Sequence, residues 1–147
     1  MAGPHDYTYA KIQAYDGNFE VYANCGALTK VLDDLVFRIT GDGARLREED
    51  VVWGETLSPE RMPAQNADFL FDTYRIDQGQ GDSPAQAIAR MAEVLPSYCQ
   101  VLTACAEGRY IFMPREHAAP ISFRTMEMLV HYVVSHTAGR AGIADPT

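Results

Sequence analysis

Four histidines, three cysteines and a surplus of carboxylates are the groups in this 147-residue chain most open to chemistry. Two of the histidines, His131 and His136, share residues 121–138, ISFRTMEMLVHYVVSHTA. Within that stretch Met126, Leu129, Val130, Val133 and Val134 recur every three or four positions, which predicts one apolar helix face. Ser122 suits the N-cap behind Pro120, and Gly139 and Arg140 suit the exit. Glu127 lies four residues before His131, a spacing that lets a carboxylate orient an imidazole or share a metal ion with it. His136 and Arg140 share a face in the same way and would grip an anionic group near the helix C-terminus. His131, His136, Glu127 and Arg140 are therefore the candidate ligand-binding residues, with His131 and His136 as the candidate metal ligands. His117 follows Arg115-Glu116 in an expected loop and would lie over a pocket mouth. Tyr7, Tyr9, Tyr15 and Tyr22 read as packing residues.

Other chemistry has no support. The chain has no GxSxG, no phosphate-cradling glycine loop, no CxxC and no HExxH. Cys25, Cys99 and Cys105 show neither a paired framework nor metal spacing, so the expectation is reduced thiols in a cytoplasmic protein. Twelve basic residues against twenty acidic ones give a formal charge of −8, which argues against a nucleic-acid partner. No uncharged apolar run of 18 residues occurs, so no membrane-spanning helix is expected.

These residues need elements to position them. Leu28, Val31, Leu32, Leu35, Val36 and Ile39 predict a helix over residues 18–40, with Gly26 a weakness inside it and Gly41 the stop. Asp16-Gly17 is a strong turn signal, so a hairpin, YTYAKIQAY–DGN–FEVYA, competes with the start of that helix. Residues 41–63 read as a long connection with a short helical piece, and Trp53 is expected to plug one end of the fold. FLFDTYRI (residues 69–76) suits either helix or strand. Residues 77–82, DQGQGD, are a break. Ser83-Pro84 opens a helix with Ala87, Ile88, Met91, Val94 and Leu95 as its apolar stripe. A shorter helix over residues 98–106 and a loop or strand pair near residues 109–113 complete the count. Four long helical segments with long connections predict an all-α, antiparallel four-helix bundle in one domain, 1–147, with a tail from 139. The alternative is an α+β fold with the N-terminal hairpin.

Tyr15, Asp50, Val51, Val52, Leu57, Pro59, Glu60, Pro63, Leu129, His131 and Tyr132 follow a recurring pattern. A tyrosine leads the first helix, Asp50-Val51-Val52 precedes L-x-P-E-x-x-P, and the last helix carries L-x-H-Y. On these residues the chain resembles the DinB/YfiT-like four-helix-bundle superfamily. The resemblance implies a bundle, often a homodimer, with a divalent-metal pocket between helices that acts in thiol transfer or hydrolysis on a small molecule. Its usual third histidine has no counterpart, because none falls between His5 and His117. His131 and His136 are five residues apart, about 140° around a regular helix, which only a π-bulge would correct. The site implied is a degenerate one, and activity as an enzyme stays open. The competing expectation is an acidic, non-catalytic inhibitor or immunity-type protein that covers a basic partner surface.

Overall fold

The computed structural model describes residues 7–74 and 83–137. Its first elements are strands. Strand β1 (Thr8–Tyr15) turns at Asp16 and Gly17, both with positive φ (49° and 78°), into the antiparallel strand β2 (Asn18–Tyr22). Two positive-φ residues make the turn whose twist matches paired strands, which is why Asp-Gly is favoured there. Helix α1 (Gly26–Asp34) follows, then the short strand β3 (Arg38–Ile39), helix α2 (Asp42–Glu48) and strand β4 (Gly54–Leu57). A 3-10 turn over Pro59–Gln65 leads to β5 (Phe69–Tyr74). After it come α3 (Pro84–Val94), α4 (Tyr98–Val101), α5 (Thr103–Ala106), β6 (Tyr110–Pro114), α6 (Arg115–Ala118) and α7 (Phe123–Thr137).

The strands form one mixed sheet in the order β4-β2-β1-β5-β6. β5 runs parallel to β1 (Ala10↔Leu70) and β6 parallel to β5 (Leu70↔Tyr110). β3 is parallel to the first residues of β1 (Thr8↔Arg38), and β4 runs antiparallel to β2. Helices cover both faces, so β1 and β5 are buried almost throughout. On one face Tyr9, Phe69, Phe71, Ile111 and Met113 pack under Leu28, Val31, Leu32, Leu129 and Val133 of α1 and α7. On the other, Ala10, Ile12, Val21 and Leu70 meet Met91, Val94, Tyr98 and Leu102 of α3 to α5.

This α/β architecture overturns the all-α bundle. Residues 18–40 are not one helix: β2, α1 and β3 divide them. Leu28, Val31 and Leu32 do lie on a helix, but it ends in a Schellman motif. Val36 sits at φ 64°, its N–H bonds Asp33 O, and the Phe37 N–H bonds Leu32 O. A β-branched residue seldom adopts that φ, which hides the stop from a sequence reading. Trp53 plugs nothing and is 55% exposed. Cys99 and Cys105 are not free thiols: a disulfide joins them across the α4–α5 turn, leaving Cys25 as the free, buried cysteine.

Gly26 explains how α1 meets the other end of the chain. Its φ is +53°, and a Cβ there would lie 1.8 Å from the Ala119 carbonyl oxygen. The Ala27 N–H donates to that same oxygen at 3.3 Å. Only glycine allows this approach, which seats the segment after α6 on the start of α1.

Candidate functional site at the carboxyl ends of the strands

From β1 the chain builds β2, β3 and β4 toward one edge, then crosses over to build β5 and β6 toward the other. The reversal lies between β1 and β5. In open α/β sheets ligands bind outside the carboxyl ends of the strands at such a point, where the connections diverge. Polar side chains gather there in this chain.

Lys11, in the middle of β1, is fully buried. Strand alternation sends it to the face of Tyr9, toward α1 and α6. Its Nζ lies 4.1 Å from the centre of the Tyr22 ring and donates to Gln13 Oε1 at 3.3 Å, so it rests on a π face and an amide oxygen in place of a carboxylate. Gln13 Oε1 also accepts from Thr73 Oγ1 at 2.8 Å, which ties the ends of β1 and β5 together. The Tyr22 hydroxyl donates to Glu20 Oε2 at 2.6 Å. Arg115, the first residue of α6, holds its guanidinium carbon 5.7 Å from the same ring, with Nη1 3.5 Å from the hydroxyl. Two basic side chains thus contact one tyrosine.

Burial dominates the electrostatics. It lowers the Lys11 amine from its usual range, against the pull of Cys25, Asp72 and Glu20, while Arg115 adds to the lowering. It raises the Tyr22 phenol, helped by the hydrogen bond and charge of Glu20. Arg115 is half-buried and can donate to an anionic oxygen, with the buried Lys11 on the other side of the Tyr22 contact.

A second buried group lies across the sheet. Asp72 alternates with Phe71 and so points to the α3 face. Its Oδ2 accepts from the Tyr110 hydroxyl at 2.6 Å, and its Oδ1 has no partner among the described residues. Burial pushes its carboxyl up to about 6, with Lys11, Tyr110 and the Thr73 backbone opposing that rise.

The residues singled out from sequence lie elsewhere. Glu127 and His131 occupy the exposed side of α7. His136 is half-buried and stacks on Tyr132, with centroids 3.9 Å apart and Nδ1 2.8 Å from the Tyr132 carbonyl oxygen. Arg140 falls outside the described residues. His117 is exposed on α6. Among the described residues no group of three or more His, Cys, Asp or Glu is placed to hold a metal ion. Lys11 and Arg115 went unnoticed as site residues. The available signal was the alternation of Tyr9, Lys11 and Gln13 in a strand whose intervening residues are apolar.

The sequence matches no protein-family model and no curated protein sequence. The fold does match solved structures. Staphylococcus aureus SirA is 16% identical with a TM-score of 0.70, over 89% of this chain and 48% of that one. A Bacillus subtilis FhuD fold-family protein, a periplasmic component of a Fep/Fec-like ferrichrome ABC transporter, is 15% identical with a TM-score of 0.66, over 89% and 46%. A siderophore periplasmic binding protein from Thermobifida fusca is 18% identical with a TM-score of 0.64, over 87% and 43%. The chain therefore spans less than half the length of each. Its fold is the α/β fold found within these binding proteins, which corrects the resemblance to the DinB/YfiT-like bundles and the metal-assisted thiol chemistry that went with it.

Proposed function

We propose that this chain is a ligand-binding body of the siderophore-binding type, which holds an anionic ferric chelate at the carboxyl ends of β1, β5 and β6. The observation that carries this reading is the pairing of Lys11 and Arg115 around Tyr22 at the crossover point of the sheet. A chain of net charge −8 repels anions at long range, so a local pair of basic groups without a carboxylate on Lys11 is a specific invitation to one. Arg115 supplies a planar fork suited to a carboxylate or catecholate oxygen, and Tyr22 supplies a flat face. The iron in this reading is cargo. The small-molecule ligand expected from sequence is kept, while thiol transfer, hydrolysis and the inhibitor reading are not.

Binding to two chelates tests the reading. SirA has been seen with staphyloferrin B and FhuD2 with ferrioxamine B. Titration with ferric staphyloferrin B, followed by Trp53 fluorescence or calorimetry, is expected to saturate, and Arg115→Gln is expected to weaken binding at least about tenfold, the effect of one charge-assisted hydrogen bond. Absence of binding to both ferric chelates by the unaltered chain would sink the proposal.

The Cys99–Cys105 disulfide supports placing the chain in an oxidising compartment, in place of the cytoplasm expected from the cysteine count. Protein purified without reductant should show one free thiol after unfolding, that of Cys25. Three would favour a reducing location.

A further inference from the structure

Lys11 carries a consequence for how such a site responds to pH. Its amine is wholly buried, and the groups facing it come from every surrounding element. Gln13 shares its strand, Glu20 and Tyr22 belong to β2, Thr73 to β5, Cys25 precedes α1 and Arg115 opens α6. Asp72 lies on the far side of the sheet. None of these places a carboxylate oxygen against Nζ: Glu20 spends its Oε2 on the Tyr22 hydroxyl and Asp72 its Oδ2 on that of Tyr110. Arg115 adds a like charge nearby. The protonated amine is thus poorly compensated in the empty site.

From this geometry we infer that capture of an anion is coupled to uptake of a proton by Lys11. The inference rests on the ligand-binding reading above and concerns its regulation. An anionic oxygen bound by Arg115 against the Tyr22 ring brings a negative charge to the group that Lys11 rests on and favours the ammonium form. Burial already lowers the amine of the empty site, and the bound anion raises it. Between those two values the complex holds one more proton than the free protein. Affinity therefore falls as pH rises through that window, by up to about tenfold per pH unit. Below the window Lys11 is charged in both states and the dependence vanishes.

Calorimetry on the 147-residue chain with ferric staphyloferrin B, in HEPES and in Tris, measures the protons exchanged. The expected result is uptake that approaches one proton between the lowered titration of the empty site and the raised titration of the complex. It should vanish in Lys11→Met and persist, at lower affinity, in Arg115→Gln. Binding with no difference between buffers at any pH in that range overturns the coupling and leaves the ligand-binding reading standing. No binding at all removes both. Should Lys11→Met fail to fold, the Lys11 Cε–H resonances of the unaltered chain answer the same question: their titration must shift to higher pH when the diamagnetic gallium(III) chelate of staphyloferrin B is present, and an unmoved titration refutes the inference.

Discussion

Asp72 shows most sharply what single buried groups do in this molecule. Its carboxyl is held up to about 6 by burial, against about 4 for an exposed aspartate. The folded chain therefore keeps a proton that the unfolded chain releases. Stability from this group is greatest below about pH 4 and is lost as pH rises to about 6. The difference corresponds to about 3 kcal/mol. Asp72→Asn keeps an acceptor for Tyr110 and removes the charge. It is expected to stabilise the fold at pH 7 by up to that amount and to flatten the stability profile between about pH 4 and 6 in urea titrations. Equal stability of the two proteins at pH 7 would mean that Asp72 has a partner for Oδ1. Neither Asp72 nor Lys11 stands out in the sequence, because a charged residue inside FLFDTY or YAKIQAY looks like the solvent side of a half-buried strand. Only coverage of both sheet faces turns each into a buried charge.

Elements were legible where local signals agree. The Ser83–Pro84 start of α3 is as expected: the Ser83 side chain accepts from the Gln86 N–H at 3.3 Å. The Asp16-Gly17 turn and the helical period of Leu28, Val31 and Leu32 were likewise readable. The α7 helix exists, but its inward stripe is Leu129, Val133 and Thr137, and Val130 is 38% exposed. What misled was length. Apolar positions from β2, α1 and β3 happen to continue one helical period across two breaks, and neither break carries its usual residue. Val36 occupies a left-handed C′ position where glycine is preferred, and Gly26, which looks like a flaw inside a helix, is its first residue. Val36→Gly is expected to raise stability by about 1 kcal/mol, since the left-handed penalty disappears. Gly26→Ala is expected to lower it by more than about 2 kcal/mol, because its Cβ meets the Ala119 carbonyl and α1 must shift. Thermal unfolding of the two variants checks both signs, and a neutral Gly26→Ala would contradict the close approach described.

At the scale of the whole molecule, the sheet was the feature least visible in sequence. β1 pairs with residues 60 positions away in β5, and β5 with β6 a further 40 on. Such pairings leave no local period, and strands buried on both faces lose the polar alternation that identifies them. FLFDTYRI therefore read equally well as helix. The resemblance to helical bundles failed for the same reason, since its short motifs sit on a loop, the 3-10 turn and α7, and touch the sheet only at Tyr15 and Leu57, the last residues of β1 and β4. The disulfide was missed because a spacing of six does not reveal a turn that brings the Cα atoms to 5.0 Å. Cys99→Ser with Cys105→Ser is expected to cost about 2 kcal/mol in denaturant unfolding, with the strand-end site unaffected. A loss of ligand affinity at full folding would show that the α4–α5 turn communicates with that site.

The function of this chain turns on where it holds an anion. A crystal structure of the chain grown with ferric staphyloferrin B addresses this directly. Chelate oxygens are expected within hydrogen-bonding reach of the Arg115 guanidinium, over Tyr22 at the carboxyl ends of β1 and β5. A chelate seated instead on α7 against His131 and Glu127, with the Lys11–Tyr22–Arg115 cluster untouched, would contradict that expectation.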